Sequence, residues 1–142
     1  QHGPKGGDNI GKVSFACNYG WNDIAWGGAE YTGFRIGKVF FKEEYCKPII
    51  SWVPSIGVGN IAFYKGNEFT EWEGDLIVSA TKANLLLRLG FEDKKIVKKE
   101  FLIKNNIDIG RVRDFEISKS GEIYLISDDE NSSLWKISKK KR

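Results

Sequence analysis

Arg111 and Arg113 stand two residues apart in the run GRVRDF, residues 110–115. An extended strand turns successive side chains to opposite faces, so both guanidinium groups leave on one side. Like charges side by side on one sheet face repel. Planar, always-charged forks suit carboxylates. The pair therefore points to an anion, either a ligand or a local acid such as Asp114 or Glu116. In a regular strand Asp114 faces away from Arg113. Other chemistry-bearing residues are few: one histidine, His2, and two cysteines, Cys17 and Cys46. The cysteine spacing is neither a zinc ribbon nor a CxxC motif, and a structural zinc site needs more ligands than these. Two readings of the cysteines stay open, a disulfide in an oxidising compartment or two free buried thiols.

The elements that must position these residues follow from the rest of the chain. Its 142 residues, 41% hydrophobic and 13% aromatic, are globular in composition and enough for one small domain. No run of eighteen apolar residues is present, so no helical membrane span is expected. The net charge of +3 owes much to Lys136, Lys139, Lys140, Lys141 and Arg142. A short basic tail reads as a solvated end. Nucleic-acid binding would need basic residues among aromatics across a folded face, and that pattern is missing. There is no signal peptide and no Met, so the expectation is part of a longer chain or a processed product.

The first fifty residues are rich in glycine and aromatics and read as long loops with short strands. From Pro48 onward short β-rich runs follow one another: PIISWV, NIAFY, DLIVSAT, NLLLRLGF, KIVKKEFLI, RVRDFEIS, EIYLIS and SLWKIS. TKANL and SKSGE read as hairpin links, and GFEDKK as a polar reversal. No segment keeps a helical period with caps. Four antiparallel candidates lie between Gly59 and Ile103, and three more between Arg111 and Ser138. Repeated four-strand groups predict an all-β fold of propeller blades. A free-standing sandwich of eight strands is the alternative. A last blade of three strands needs a fourth from elsewhere, which the N-terminal part of the same chain supplies in many propellers. The expected division is a loop-rich partial blade with a metal and cofactor loop at 1–52, one blade at 53–104, and a last, incomplete blade at 105–142.

Several short motifs occur in a telling order: QHGPKGGD at the start, NYGWN at 18–22, WVPSIGVGNIAFYKG at 52–66, WEGDLIVSATKANLLLRL at 72–89, RVRDFEISKSGEIYLISD at 111–128, and SLWKI at 133–137. Together they resemble the soluble glucose, aldose-sugar and sorbosone dehydrogenases that depend on pyrroloquinoline quinone (PQQ). The resemblance covers nearly the whole chain. It implies about two and a half antiparallel blades of a six-bladed quinoprotein propeller, with PQQ and Ca²⁺ at the mouth of the central channel. It also implies oxidation of an aldose at its anomeric carbon to the lactone. Electrons would pass to an external acceptor such as a quinone, a cytochrome or a dye, and the setting would be periplasmic or secreted.

The same resemblance assigns residues. Arg111 and Arg113 match cofactor-contacting arginines, so PQQ carboxylates would cancel their charge. Lys82, at the end of LIVSATK, matches a PQQ-binding lysine; a cation beside a quinone oxygen stabilises charge developing on reduction. The plain alternative is an ordinary hairpin lysine. Ser55 aligns with a hydroxyl residue that bonds the cofactor, against the alternative of a turn serine after proline. Gly3 and Pro4 match a pair whose backbone carbonyls ligate Ca²⁺, a hard ion that takes oxygen ligands. Asp8 belongs to the same loop and would orient it. Tyr19 and Trp21 are candidates for sugar stacking, whereas Trp52, Trp72 and Trp135 read as packing. His2 is not assigned as the base, because the family's base lies in an earlier blade. The chain alone is therefore expected to be inactive. Asn22 stands where the family usually has proline and Asn9 where Glu is common, which bears on the substrate more than on the fold. A non-enzymatic propeller that only binds a partner is the competing function, and an NHL-like scaffold a third.

Overall fold

The computed structural model describes residues 1–140; Lys141 and Arg142 of the basic tail lie outside the described residues. Nine strands and one 3-10 turn make up its regular structure. No α-helix occurs among the described residues, so no helix is long and apolar enough to cross a membrane. Two compact units divide the chain, Gln1–Val58 and Gly59–Arg142.

In the first unit β1 (Asp8–Ile10) pairs antiparallel with β2 (Ile50–Trp52), Asp8 opposite Trp52. Between them the chain runs as turns, with one isolated bridge between Ala29 and Arg35. Long-range ties hold these turns in place of a sheet. Cys17 and Cys46 form a disulfide, with Cα atoms 5.8 Å apart. Beside it, the Cys46 N–H donates to the Asn18 carbonyl at 2.8 Å. The Asp23 carboxylate accepts from Lys42 and from the Tyr45 hydroxyl, and Ile24 and Ile36 are buried beneath.

The second unit carries the regular β-structure. A four-stranded sheet has the order β3 (Val58–Phe63), β4 (Leu76–Ala80), β5 (Leu85–Glu92), β6 (Lys95–Lys104). A three-stranded sheet has the order β7 (Val112–Ile117), β8 (Ile123–Ser127), β9 (Leu134–Ile137). Both are antiparallel meanders of the propeller-blade kind the sequence predicts. Burial explains the residue choice. β4 is apolar except for Ser79 and buried at every position, as a strand covered on both faces must be. β6 alternates and carries Lys95, Lys98, Lys99 and Lys104, which keep an edge strand from pairing onward. The β5–β6 hairpin turns on Asp93 and Lys94, φ 47° and 63°, the paired positive φ of a tight two-residue hairpin.

The core of this unit joins both sheets through Ile77, Leu86, Val112, Phe115, Ile123 and Leu125. Each such side chain stabilises the fold by about 1.5–3 kcal/mol on burial. Trp72 and Trp135 pack against this cluster, as the sequence suggests. Tyr64 pins its edge: the hydroxyl donates to the Gly121 carbonyl at 2.7 Å and accepts from the Phe69 N–H at 3.0 Å. A Cβ at Gly121 would stand 2.3 Å from that hydroxyl, and φ there is 97°, so only glycine fits.

Candidate functional site

In the first unit the residues around HGPKGGD are organised by one buried carboxylate. Asp8 is fully buried. One of its oxygens accepts from the Gly3 N–H at 2.7 Å, the other from Gly57 at 2.6 Å and Val58 at 3.1 Å. Burial pulls the Asp8 carboxyl upward, but the backbone N–H bonds from Gly3, Val58 and Gly57 outweigh it and hold the group below its ordinary value. Ser55, also buried, completes the knot: its hydroxyl donates to the Gly3 carbonyl at 3.1 Å and accepts from the Asp8 N–H at 3.3 Å. A hydroxyl has a single O–H. To donate to a bound cofactor, Ser55 would have to turn away from Gly3. The loop is tight because Gly3 is glycine; a Cβ there would meet the Gly6 oxygen at 2.2 Å. Gly3 and Pro4 are half-buried. Among the described residues no group of three or more His, Cys, Asp or Glu side chains is arranged to hold a metal. The donors implied for Ca²⁺ are backbone carbonyls, which suit that ion.

The aromatic candidates divide. Tyr19 is committed to the loop, its hydroxyl donating to the Lys12 carbonyl at 2.6 Å and its ring lying against Gly11. Trp21 is 56% exposed. The His2 ring is turned to the Val58 carbonyl.

In the second unit Lys82 lies in the four-residue turn between β4 and β5, exposed and, among the described residues, in no ion pair. Asn84 closes that turn with φ 48°, a conformation Asn tolerates, and its carbonyl accepts from the Asn105 N–H at 3.1 Å.

Arg111 precedes β7, and Arg113 is the extra residue of a β-bulge between Val112 and Asp114. Such bulges re-aim a side chain. The two guanidinium groups converge on one atom, Asp128 Oδ2, at 3.5 Å from Arg111 and 3.8 Å from Arg113. The local acid that meets them is thus neither Asp114 nor Glu116. Asp114 caps the next N–H, that of Phe115, at 2.8 Å. With Glu116, Tyr124, Ile126 and Leu134 it lines an open hollow of about 210 Å³ whose charged groups are acidic. Sequence reasoning missed Asp128, although a signal existed. Carrying the Ile117–Ile123 pairing back along the hairpin sets residues 127–129 opposite 111–113.

One other arginine is paired differently. Arg88, buried in β5, bonds Asp75 at 2.8 Å and Glu100 at 2.5 Å and lies over the Trp72 ring. Its charge is spent on the fold. Lys82, Arg111 and Arg113 remain exposed cations available to a ligand, and their charge and hydrogen-bonding capacity fit an anionic, carboxylate-bearing cofactor.

Comparison with known proteins identifies the family of the chain. Residues 1–136 match the family described as Glucose / Sorbosone dehydrogenase. The chain is similar to "Aldose sugar dehydrogenase YliI" of Escherichia coli (strain K12), 29% identical over 142 residues, covering 97% of this chain and 37% of that protein. It is 23% identical to "Uncharacterized protein slr1608" of Synechocystis over 96% of this chain and 32% of that one. Among solved structures, a glucose dehydrogenase superposes with a TM-score of 0.87 at 30% identity, covering 99% of this chain and 40% of the other. The soluble aldose sugar dehydrogenase of Escherichia coli in its apo-form gives 0.81 at 29% identity, covering 96% and 39%. This chain therefore spans less than half the length of these relatives, and over its own length it belongs to the glucose/sorbosone dehydrogenase family.

Proposed function

We propose that the protein carrying this chain is a PQQ- and Ca²⁺-dependent dehydrogenase that oxidises an aldose at the anomeric carbon to its lactone and passes electrons to an external acceptor. One observation carries the reading. In a sugar dehydrogenase family member, Lys82, Arg111 and Arg113 are held out as exposed cations with at most one loosely placed acid between them, while Arg88 is locked into the fold.

When bound, PQQ supplies the hydride acceptor and Ca²⁺ polarises it. The chain's own residues do the positioning. Arg111 and Arg113 would take cofactor carboxylates as planar forks. Lys82 would hold positive charge where negative charge grows on reduction. Gly3 and Pro4 would offer carbonyl oxygens to the cation, on a loop that Asp8 and Ser55 hold. Trp21 offers an exposed face on which a sugar ring can stack. His2 is engaged with a backbone carbonyl; by the family resemblance the base would come from an earlier blade outside these 142 residues, and the chain alone is expected to give no turnover. The disulfide agrees with a periplasmic or secreted setting.

The test is dye reduction by the full-length protein with a panel of aldoses, with and without Ca²⁺ and PQQ. Turnover that needs both additives and falls in Arg111→Ala, Arg113→Ala and Lys82→Ala is expected. A folded protein that neither binds PQQ nor reduces the dye would move the reading to a binding module.

A further inference from the structure

Asp128 has no role in the reading above, yet it is the residue on which the two arginines meet. Its backbone is firmly placed. The Asp128 N–H donates to the Arg111 carbonyl at 2.9 Å. On one side of it, Ser127 Oγ accepts from the Ser133 N–H at 2.9 Å. On the other, Ser132 Oγ accepts from the Asp129 N–H at 3.1 Å and donates to the Asp129 carbonyl at 2.7 Å. The run SDDENSS is thus a serine-knit loop that presents one carboxylate to the start of the neighbouring strand.

The side-chain contacts, by contrast, are loose. At 3.5 and 3.8 Å both guanidinium contacts exceed hydrogen-bond length, and all three side chains are 44–60% exposed. Arg88 in the same unit shows what a permanent pair looks like: 2.8 and 2.5 Å, with its own side chain 5% exposed. An exposed, long pair contributes little and exchanges easily. The two guanidinium groups share this one carboxylate as their ion-pair partner among the described residues.

We propose that Asp128 is the internal counter-anion of the Arg111–Arg113 pair: it holds the two guanidinium groups on one point and yields that point to an incoming cofactor carboxylate. This rests on the reading that these arginines receive PQQ. Asp128 is a positioning residue that competes with the ligand, so its removal strengthens binding. A residue that merely supported the loop would weaken binding when removed, and the sign separates the two roles.

The experiment is calorimetric titration of PQQ into the full-length protein with Ca²⁺, at low and high salt, for wild type, Asp128→Asn and Arg111→Ala. Loss of one negative charge beside the site should tighten PQQ binding by roughly three- to tenfold at low salt, and screening should shrink the gain as salt rises. Arg111→Ala should weaken binding. Unchanged or weaker binding by Asp128→Asn, with Arg111→Ala still weakened, overturns the role of Asp128 and leaves the cofactor reading standing. Binding indifferent to Arg111→Ala, or no binding by wild type, overturns the cofactor reading and this inference with it. Should Asp128→Asn fail to fold, Asp128→Ser carries the same expected gain and the same refutation.

Discussion

Replacing Asp8 by alanine is the sharpest test of how the HGP loop is held. The carboxylate is fully buried and receives three backbone N–H groups, from Gly3, Gly57 and Val58. Alanine removes every acceptor at once. A buried donor left without a partner costs about 1–3 kcal/mol, and water entering the gap recovers part of that, so a loss of about 3–5 kcal/mol is expected. Asparagine keeps one carbonyl oxygen. It can serve either Gly3 alone or Gly57 and Val58 together, and its NH₂ then faces a donor, so about half the loss is expected. Urea unfolding of the full-length protein, followed by tryptophan fluorescence, reads the difference. At a slope of about 2–3 kcal/mol/M, Asp8→Ala should lower the midpoint by about 1–2.5 M, with Asp8→Asn between it and wild type. A midpoint for Asp8→Ala within about 0.2 M of wild type would refute the idea that this carboxylate holds the loop.

Other expectations follow from the same reasoning. Arg88→Met should destabilise the second unit by about 3 kcal/mol in chemical unfolding, because it leaves Asp75 and Glu100 without their partner; an unchanged midpoint would mean the network is dispensable. The Arg88 bonds hold the Glu100 carboxyl below its ordinary value of 4.5. A depressed folded-state value adds stability above that pH and loses it as pH falls through the folded value. The acid-induced fall in stability below about pH 4.5 should therefore be shallower in Glu100→Gln than in wild type, as unfolding across a pH series will read. Reducing the Cys17–Cys46 disulfide, which closes a loop with a sequence separation of 29, should cost about 3–4 kcal/mol by chain entropy. Hydrogen exchange should then quicken in residues 17–46 while the strands of the second unit keep their protection.

Much of the β-structure was legible because it is periodic. The runs from NIAFY to SLWKIS all became strands, since alternation and apolar continuity are local signals of a half-buried or fully buried strand. The segment between β1 and β2 was not legible in that way. Its order comes from the disulfide, from Asp23 with Lys42 and Tyr45, and from backbone bonds across long separations, none of which has a period. The cysteine pairing stayed open in the sequence for the same reason. At the site, the arginine spacing suggested two cations leaving one side of a strand, and in the structure both lie near Asp128, at 3.5 and 3.8 Å. The bulge at Arg113 and the partner at Asp128 depend on hairpin register, which residue types alone do not reveal. Asp8 was legible as a loop acid, but its three N–H donors, two of them from residues 57 and 58, belong to the folded chain.

The most direct measurement is a crystal structure of the full-length protein grown with Ca²⁺ and PQQ. The expected result has PQQ carboxylates within hydrogen-bond distance of Arg111 and Arg113, Lys82 beside the quinone, and Ca²⁺ on the Gly3 and Pro4 carbonyl oxygens. PQQ absent, or bound elsewhere with both arginines still resting on Asp128, would contradict the assignment of these residues to a cofactor site.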